Sequence, residues 1–258
     1  MLDYKVQPYL LVTEFTYDKA NQLVSSICEG KRTEYHYDAA GRLVREGEKT
    51  YTYGYLDKVL GLRDGKSSTT YDYTIAGQLV SATTGNKTES FLWDGLALIR
   101  RGGVNYLNEP HAGGGAALLA GDKVMFNDVL GTTLGIEGEG GTLSTARGSA
   151  YGETDSTDHL FTGKPYVEGL GHAFLLRNYR ADLGKWQTAD PLGHPDGWNN
   201  FAYCNGQVTS AVDLLGAYLS YVESRIEILD REVIEYYDTH VESGRNCDIF
   251  YYYNTSIP

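Results

Sequence analysis

Asp190 and Asp213 each open an Asp-x-Leu-Gly segment, Asp190-Pro191-Leu192-Gly193 and Asp213-Leu214-Leu215-Gly216, 23 residues apart. Two carboxylates held close together cannot both ionise cheaply. One pKa rises and the other falls, so such a pair can share a proton and serve as both acid and base. The same residue types also make good turns. Asp at the first position accepts a backbone hydrogen bond, Pro fixes the second position and Gly closes the turn. Turn chemistry alone accounts for both segments, and on the residues alone both interpretations stand.

Other reactive side chains form weaker patterns. His36, His111, His159, His172, His194 and His240 are scattered, with no His-x-x-x-His spacing. Ser149 and Ser156 lack a nucleophile-elbow context. Cys28, Cys204 and Cys247 make no metal-ligand pattern and no disulfide framework, so neither metal nor cofactor is expected. The Gly-rich stretch 102–150, which includes Gly113-Gly114-Gly115, lacks the Gly-Lys-Ser/Thr ending of a phosphate loop. It is better explained by turns between short strands such as Lys123-Val124-Met125-Phe126 and Leu143-Ser144-Thr145. His194 and Asp196, beside the first Asp motif, are assigned to a turn. Trp186, Trp198, Phe201 and Tyr203 are expected to pack a plug against a sheet, because large aromatics dominate cores.

The elements that must position these groups are announced by a repeat. Tyr17, Tyr37, Tyr53, Tyr73 and Trp93 recur at intervals of 20, 16, 20 and 20 residues. Three of them lead through a small polar turn to a common exit: Asn21-Gln22-Leu23-Val24, Gly41-Arg42-Leu43-Val44 and Gly77-Gln78-Leu79-Val80. Thr33-Glu34-Tyr35-His36-Tyr37 and Lys49-Thr50-Tyr51-Thr52-Tyr53 alternate with period two, which predicts half-buried strands. Each unit of about 20 residues therefore predicts two strands joined by an Asp-x-x-Gly-type turn, and no unit can bury its apolar face alone. The unit at Tyr53-Gly54-Tyr55-Leu56 is degenerate, and an irregular hairpin is expected there.

Composition agrees. Twenty-two Tyr and 31 Gly among 258 residues favour hairpin-rich β structure, and the length suffices for a sizeable core. A net charge of −12 argues against a general nucleic-acid or anionic-membrane binder, since phosphate contacts need Lys and Arg. Met1-Leu2-Asp3-Tyr4-Lys5 does not open a signal peptide, and no run is long enough for a transmembrane helix. After residue 217 the character changes. Val222, Ile226, Leu229, Val233 and Tyr237 predict an apolar helical stripe, followed by a strand over Ile249–Tyr253, within an acidic tail of net charge −5.

The Tyr-Asp repeats and the ordered run that follows them resemble the Rhs (rearrangement hotspot) or YD-repeat family. The run comprises Phe161-Thr162-Gly163-Lys164-Pro165-Tyr166, Leu176-Arg177-Asn178-Tyr179-Arg180, Leu183-Gly184-Lys185-Trp186 and Asp190-Pro191-Leu192-Gly193. It closes with Trp198-Asn199-Asn200-Phe201-Ala202-Tyr203-Cys204-Asn205 and Asp213-Leu214-Leu215-Gly216. The order of these pieces looks like the Rhs repeat-associated core domain, and the resemblance covers roughly residues 13–216.

The resemblance implies an all-β chain: YD-repeat hairpins over 1–101 forming a curved, spiralling antiparallel sheet, part of a hollow shell. A capping core domain would occupy 102–216 and a short, variable α+β segment 217–258. In this family the shell encloses a variable C-terminal passenger, often a toxin, and in several members the core domain cuts it off as an intramolecular aspartyl protease. By that resemblance Asp190 and Asp213 are the dyad and Lys185 stands where members usually carry Arg. The cut falls just after Gly216, at Ala217–Tyr218. Three positions depart from the family pattern: Lys185 itself, Leu214 in place of Pro, and Asn205-Gly206 in place of Asn-Pro. The implied partners are the chain's own C-terminal segment and a longer Rhs shell, or carbohydrate at Tyr-rich edges for a non-enzymatic surface protein. The family also implies secretion or a cell-surface location.

Overall fold

A computed structural model describes residues 12–109, 115–145, 148–229 and 232–240. Fifteen strands, from β1 (Thr13–Tyr17) to β15 (Leu143–Thr145), pair antiparallel in strict chain order and so form one long meander. Its two outermost strands, β1 and β15, are not paired with each other, and the sheet is open. Within a strand the burial alternates as a one-sided sheet requires. In β7 (Ser67–Tyr73), Thr69 and Tyr71 are buried while Ser68, Thr70 and Asp72 are exposed.

The repeat has a precise physical content. Tyr35, Tyr51, Tyr71 and Phe91, two residues before the periodic aromatics, are buried, as are the exit residues Leu23, Leu43, Leu79 and Leu98. At Tyr17, Tyr37, Tyr53 and Tyr73 the ladder shifts register, a bulge that re-aims the side chain. The polar tip then reaches back to the preceding exit: Tyr53 Oη donates to Leu43 O at 2.7 Å and Trp93 Nε1 donates to Leu79 O at 2.7 Å. The turn that follows is fastened by aspartate, with Asp18 Oδ1 accepting from the Ala20 and Gln22 amides and Asp38 Oδ1 from those of Ala40 and Arg42.

This device continues beyond residue 101, where no aromatic marks it. Asn108 and Asn127 sit at the same bulge, and their Nδ2 groups donate to Leu98 O at 2.8 Å and Ala117 O at 2.7 Å. Asp128 Oδ1 then accepts from the amides of Leu130 and Thr132 as Asp18 and Asp38 do in their turns. The degenerate unit contains a 3-10 turn, Tyr55–Asp57, with Leu56 at φ 57°.

Against the inner face of this wall lies a plug. Four short strands, β16 (Tyr166–Val167), β17 (Gly171–Ala173), β18 (Asn178–Arg180) and β19 (Lys185–Trp186), form its central sheet. One core unites the buried wall residues with Leu160, Val167, Leu170 and Ala173 of the plug. A second core lies within the plug, where Phe161, Phe174, Tyr179, Trp186 and Tyr203 pack together. Tyr179 and Tyr203 have ring centroids 4.5 Å apart. Trp186, Phe201 and Tyr203 are buried as expected, whereas Trp198 is 90 % exposed, carried outward on the loop after Pro195 with His194 as its ring neighbour.

The seam between wall and plug is stitched by buried cations on backbone carbonyls. Lys58 Nζ of the wall donates to Leu175 O of the plug. Lys164 Nζ donates to Leu96 O at 3.1 Å, and Lys185 Nζ donates to Asn21 O at 2.8 Å. Arg180 makes a two-pronged pair with Glu46, at 2.8 and 3.0 Å, and also meets Tyr51 and Asp182.

A third sheet joins β20 (Ala211–Val212) to a hairpin of β21 (Ser220–Leu229) and β22 (Glu232–His240). The helix expected over Val222–Tyr237 is therefore not formed. Val222, Ser224, Ile226 and Ile228 alternate with Tyr221, Glu223, Arg225 and Glu227, so the segment satisfies period two as well as a helical spacing. Its β-branched residues and pairing with β20 decide for strand. The all-β expectation holds and the helical portion of it does not. The strand expected at Ile249–Tyr253 lies outside the described residues. Among the described residues, no helix is long and apolar enough to cross a membrane.

Candidate active site

Asp190 is delivered by the chain leaving β19. Residues 187–189 lie along the second repeat's turn, where Leu43 N donates to Gln187 O at 3.1 Å and Ala189 N to Gly41 O at 3.2 Å. Asp213 follows β20 and begins a seven-residue loop, 213–219, that returns as β21 through the pair Val212–Ser220. Arg177, immediately before β18, lies between them.

Both aspartates make their turns and also face one another's partner. Asp190 Oδ1 accepts from Leu192 N at 2.8 Å, while its Oδ2 lies 2.7 Å from Arg177 Nη2. Asp213 Oδ1 accepts from the amides of Leu215, Gly216 and Ala217 at 3.1, 2.6 and 3.1 Å, while its Oδ2 lies 3.4 Å from the same Arg177 Nη2. The turn does not use up either carboxylate: one oxygen of each serves the turn and the other faces Arg177. The three charged side chains are 1–3 % exposed.

Arg177 also binds backbone. Nε donates to the Gly216 carbonyl oxygen at 2.5 Å and Nη1 to Asn200 O at 3.0 Å, with the guanidinium 4.2 Å from the Trp186 ring centroid. A planar fork can serve several acceptors at once in a way an ammonium cannot. Gly216 sits at φ 81°, and a Cβ there would come within 3.0 Å of the Arg177 amide nitrogen, so the approach of the loop to the Arg177 backbone requires glycine.

The charges do not balance within this group. Arg177 faces Asp190 and Asp213, and Asp196 adds a third negative field. Burial pushes the Asp213 carboxyl up to about 6, against the opposing pull of Arg177 and the three amides. Burial likewise raises Asp190, opposed by Arg177 and assisted by Asp196. Burial holds Arg177 below its usual range, while its carboxylate neighbours oppose that shift. Buried Lys164, which feels Asp213, is pushed down to about 7.

The structure brings Asp190, Asp213 and the loop at Gly216, Ala217 and Tyr218 together. It does not bring Lys185 to them: that ammonium lies 4.1 Å from the Tyr17 ring centroid, on the wall. The sequence pattern did not single out Arg177, and it assigned Asp196 to a turn, whereas Asp196 accepts from the Leu219 amide. Arg177 stands in a run the sequence displays, Leu176-Arg177-Asn178-Tyr179-Arg180, but nothing in its spacing says which carboxylate it meets. Among the described residues, no group of His, Cys, Asp or Glu is placed to hold a metal ion.

Comparison with known proteins places the fold. Residues 17–48 match the RHS repeat family model. No curated protein matches the chain. Among solved structures, the Photorhabdus luminescens Tc holotoxin pore aligns at a TM-score of 0.54 and 13% identity, over 78% of this chain and 13% of that one. The TcdB2-TccC3-TEV crystal structure aligns at 0.56 and 15% identity, over 79% of this chain and 13% of that chain. TcdB2-TccC3 without its hypervariable C-terminal region aligns at 0.51 and 14%, over 79% and 15%. The chain thus spans about one seventh of these structures' length. Residues 17–48 thus match an RHS repeat, and the sheet that contains them shares its fold with these structures.

Proposed function

We propose that this chain is a piece of an RHS-type shell whose core-domain block, taken as 102–216, cuts the loop 213–219 in cis and frees the segment that follows. The observation carrying this reading is that Asp190 and Asp213 share Arg177 Nη2 while Arg177 Nε and Asp213 Oδ1 both hold the backbone at Gly216. A bond tethered beside its catalytic groups needs no substrate pocket, and effective molarities reach on the order of 10⁵ M.

In the proposed reaction Asp190 is ionised and Asp213 protonated. Water bonds to the Ala217 carbonyl carbon and gives its proton to Asp190, while Asp213 protonates the carbonyl oxygen. Collapse of that intermediate breaks the Ala217–Tyr218 bond, with the Tyr218 nitrogen taking the proton from Asp190 and the hydroxyl proton returning to Asp213. Lys185 acts here as a strut to the wall. The passenger would begin at Tyr218. The enclosing shell would require further strands from outside this chain, since the sheet is open and spans a small part of its structural relatives.

Intact-mass measurement over time on residues 1–258, at pH 5 and pH 7, tests this. Two fragments meeting at Ala217–Tyr218, absent in Asp190→Asn, are expected. Full-length mass alone in the unsubstituted chain overturns the reading, and fragments that persist in Asp190→Asn assign the cut to another protease. The fragment masses also distinguish this bond from Gly216–Ala217, whose carbonyl Arg177 holds.

A non-enzymatic carbohydrate-binding reading has one observation in its favour. Partly exposed Phe15, Tyr17 and Tyr151 line a cleft of about 530 Å³ together with Asn21, Asn199 and Asp182. Retention on polysaccharide that is lost in Tyr151→Ala would support it.

A further inference from the structure

The loop that carries the cut is held at both ends. Asp213 Oδ1 fixes the amides of residues 215–217. On the far side, both oxygens of Asp196 lie 3.0 Å from the amide nitrogen of Leu219. Asp196 comes from the loop that Asp190 opens, so one short segment supplies a carboxylate to each side of the bond. Between these holds stands only Tyr218. Val212–Ser220 pairing closes the base of the loop.

We infer that Asp196 is a positioning residue for the cut, clamping Leu219 so that the 217–218 peptide cannot swing away from Asp190 and Asp213. Its chemistry suits that task. A half-buried carboxylate is acceptor-only and binds an amide through a charge-assisted hydrogen bond. Leu219 is a core neighbour of the plug aromatics, so the clamp fixes a residue that packing also retains. Arg177 feels the Asp196 charge, and Asp190 feels it too, which keeps the clamp within the electrostatic reach of the pair without making it a third acid in the reaction. This inference rests on the self-cleavage reading.

Two measurements test it. In the uncut Asp190→Asn protein, amide hydrogen exchange at Leu219 is compared with and without Asp196→Ala. In the otherwise unsubstituted chain, the rate and position of cleavage are compared for Asp196→Ala and Asp196→Asn. Loss of one charge-assisted hydrogen bond predicts a roughly tenfold or greater fall in cleavage rate for Asp196→Ala. Faster exchange at Leu219 and loss of fidelity to one bond should accompany it, with unchanged exchange across β16–β19. Asn retains a carbonyl acceptor, so Asp196→Asn should recover much of the rate and the fidelity. Cleavage by Asp196→Ala at the unsubstituted rate and bond overturns the clamp and leaves the self-cleavage reading intact. An unsubstituted chain that never cuts overturns both. Should Asp196→Ala lose the plug's protection as well, Asp196→Asn decides: a folded Asn variant with faster Leu219 exchange but an unaltered cut overturns the clamp.

Discussion

The guanidinium of Arg177 holds the carbonyl oxygen of Gly216 at 2.5 Å, binding the loop that follows Asp213 to the residue that leads into β18. The same side chain spans Asp190 and Asp213, so one fork organises the loop backbone and both acids. Removing it should therefore disturb charge and backbone together.

Arg177→Lys preserves the charge and loses the fork. A lysine cannot meet Gly216 O, Asn200 O and two carboxylates at once, and leaving a buried acceptor without its donor costs about 1–3 kcal/mol. Denaturant unfolding at pH 7 should show a loss of that order. At pH 5 the loss should shrink, because Asp213, pushed up to about 6 by burial, then carries a proton and needs less compensation.

Cleavage should weaken as pH rises through about 6. Burial raises Asp213 to that value, so its protonated form, the proposed donor to the carbonyl oxygen, is the major one at pH 5 and the minor one at pH 7. Above the midpoint the rate should fall roughly tenfold per pH unit. Apparent values belong to the pair. A rate measured by intact mass that is flat from pH 5 to pH 8 would remove Asp213 as the acid.

Glu46→Gln should unfasten the wall from the plug. Burial alone would raise the Glu46 carboxyl, but Arg180 and Tyr51 outweigh it and hold it below the usual carboxylate range. A depressed folded-state pKa contributes stability above the unfolded value, and that contribution is lost as pH falls through the folded one. The variant should lose about 3 kcal/mol at pH 7. The gap to the unsubstituted chain should narrow in unfolding curves taken at progressively lower pH, below the ordinary glutamate range.

The three lysine stitches should make stability depend on pH in the alkaline range as well. Burial pushes Lys58 and Lys185 down to about 8 and Lys164 to about 7, each from an ordinary value of 10.5. Between those values the unfolded chain binds more protons than the folded one, so stability rises with pH. Melting temperature should climb from pH 7 towards pH 10. Lys185→Met should flatten part of that climb, and an unchanged slope would show that Lys185 keeps its charge in the fold.

The sequence by itself determined the wall. Period-two alternation with a returning Tyr, Asp and Gly leaves a hairpin meander as the one arrangement that buries each unit's apolar face, and Tyr35, Leu43, Tyr51 and Leu79 lie buried accordingly. It also marked Asp190 and Asp213 as turn residues, because turn chemistry is local. The wall's continuation was legible only in part. Asp128-x-x-Gly131 repeats the turn, but Asn108 and Asn127 replace the aromatic with another donor, and a donor's target is a matter of space. Tertiary structure alone decided the rest: that Arg177 meets both acids, that Lys185 turns to Asn21, that Asp196 reaches Leu219, and that β21 pairs with β22 as strands. Each of these is a contact or pairing set by how the pieces pack, and residues 23 apart acquire a common partner only when the plug is folded.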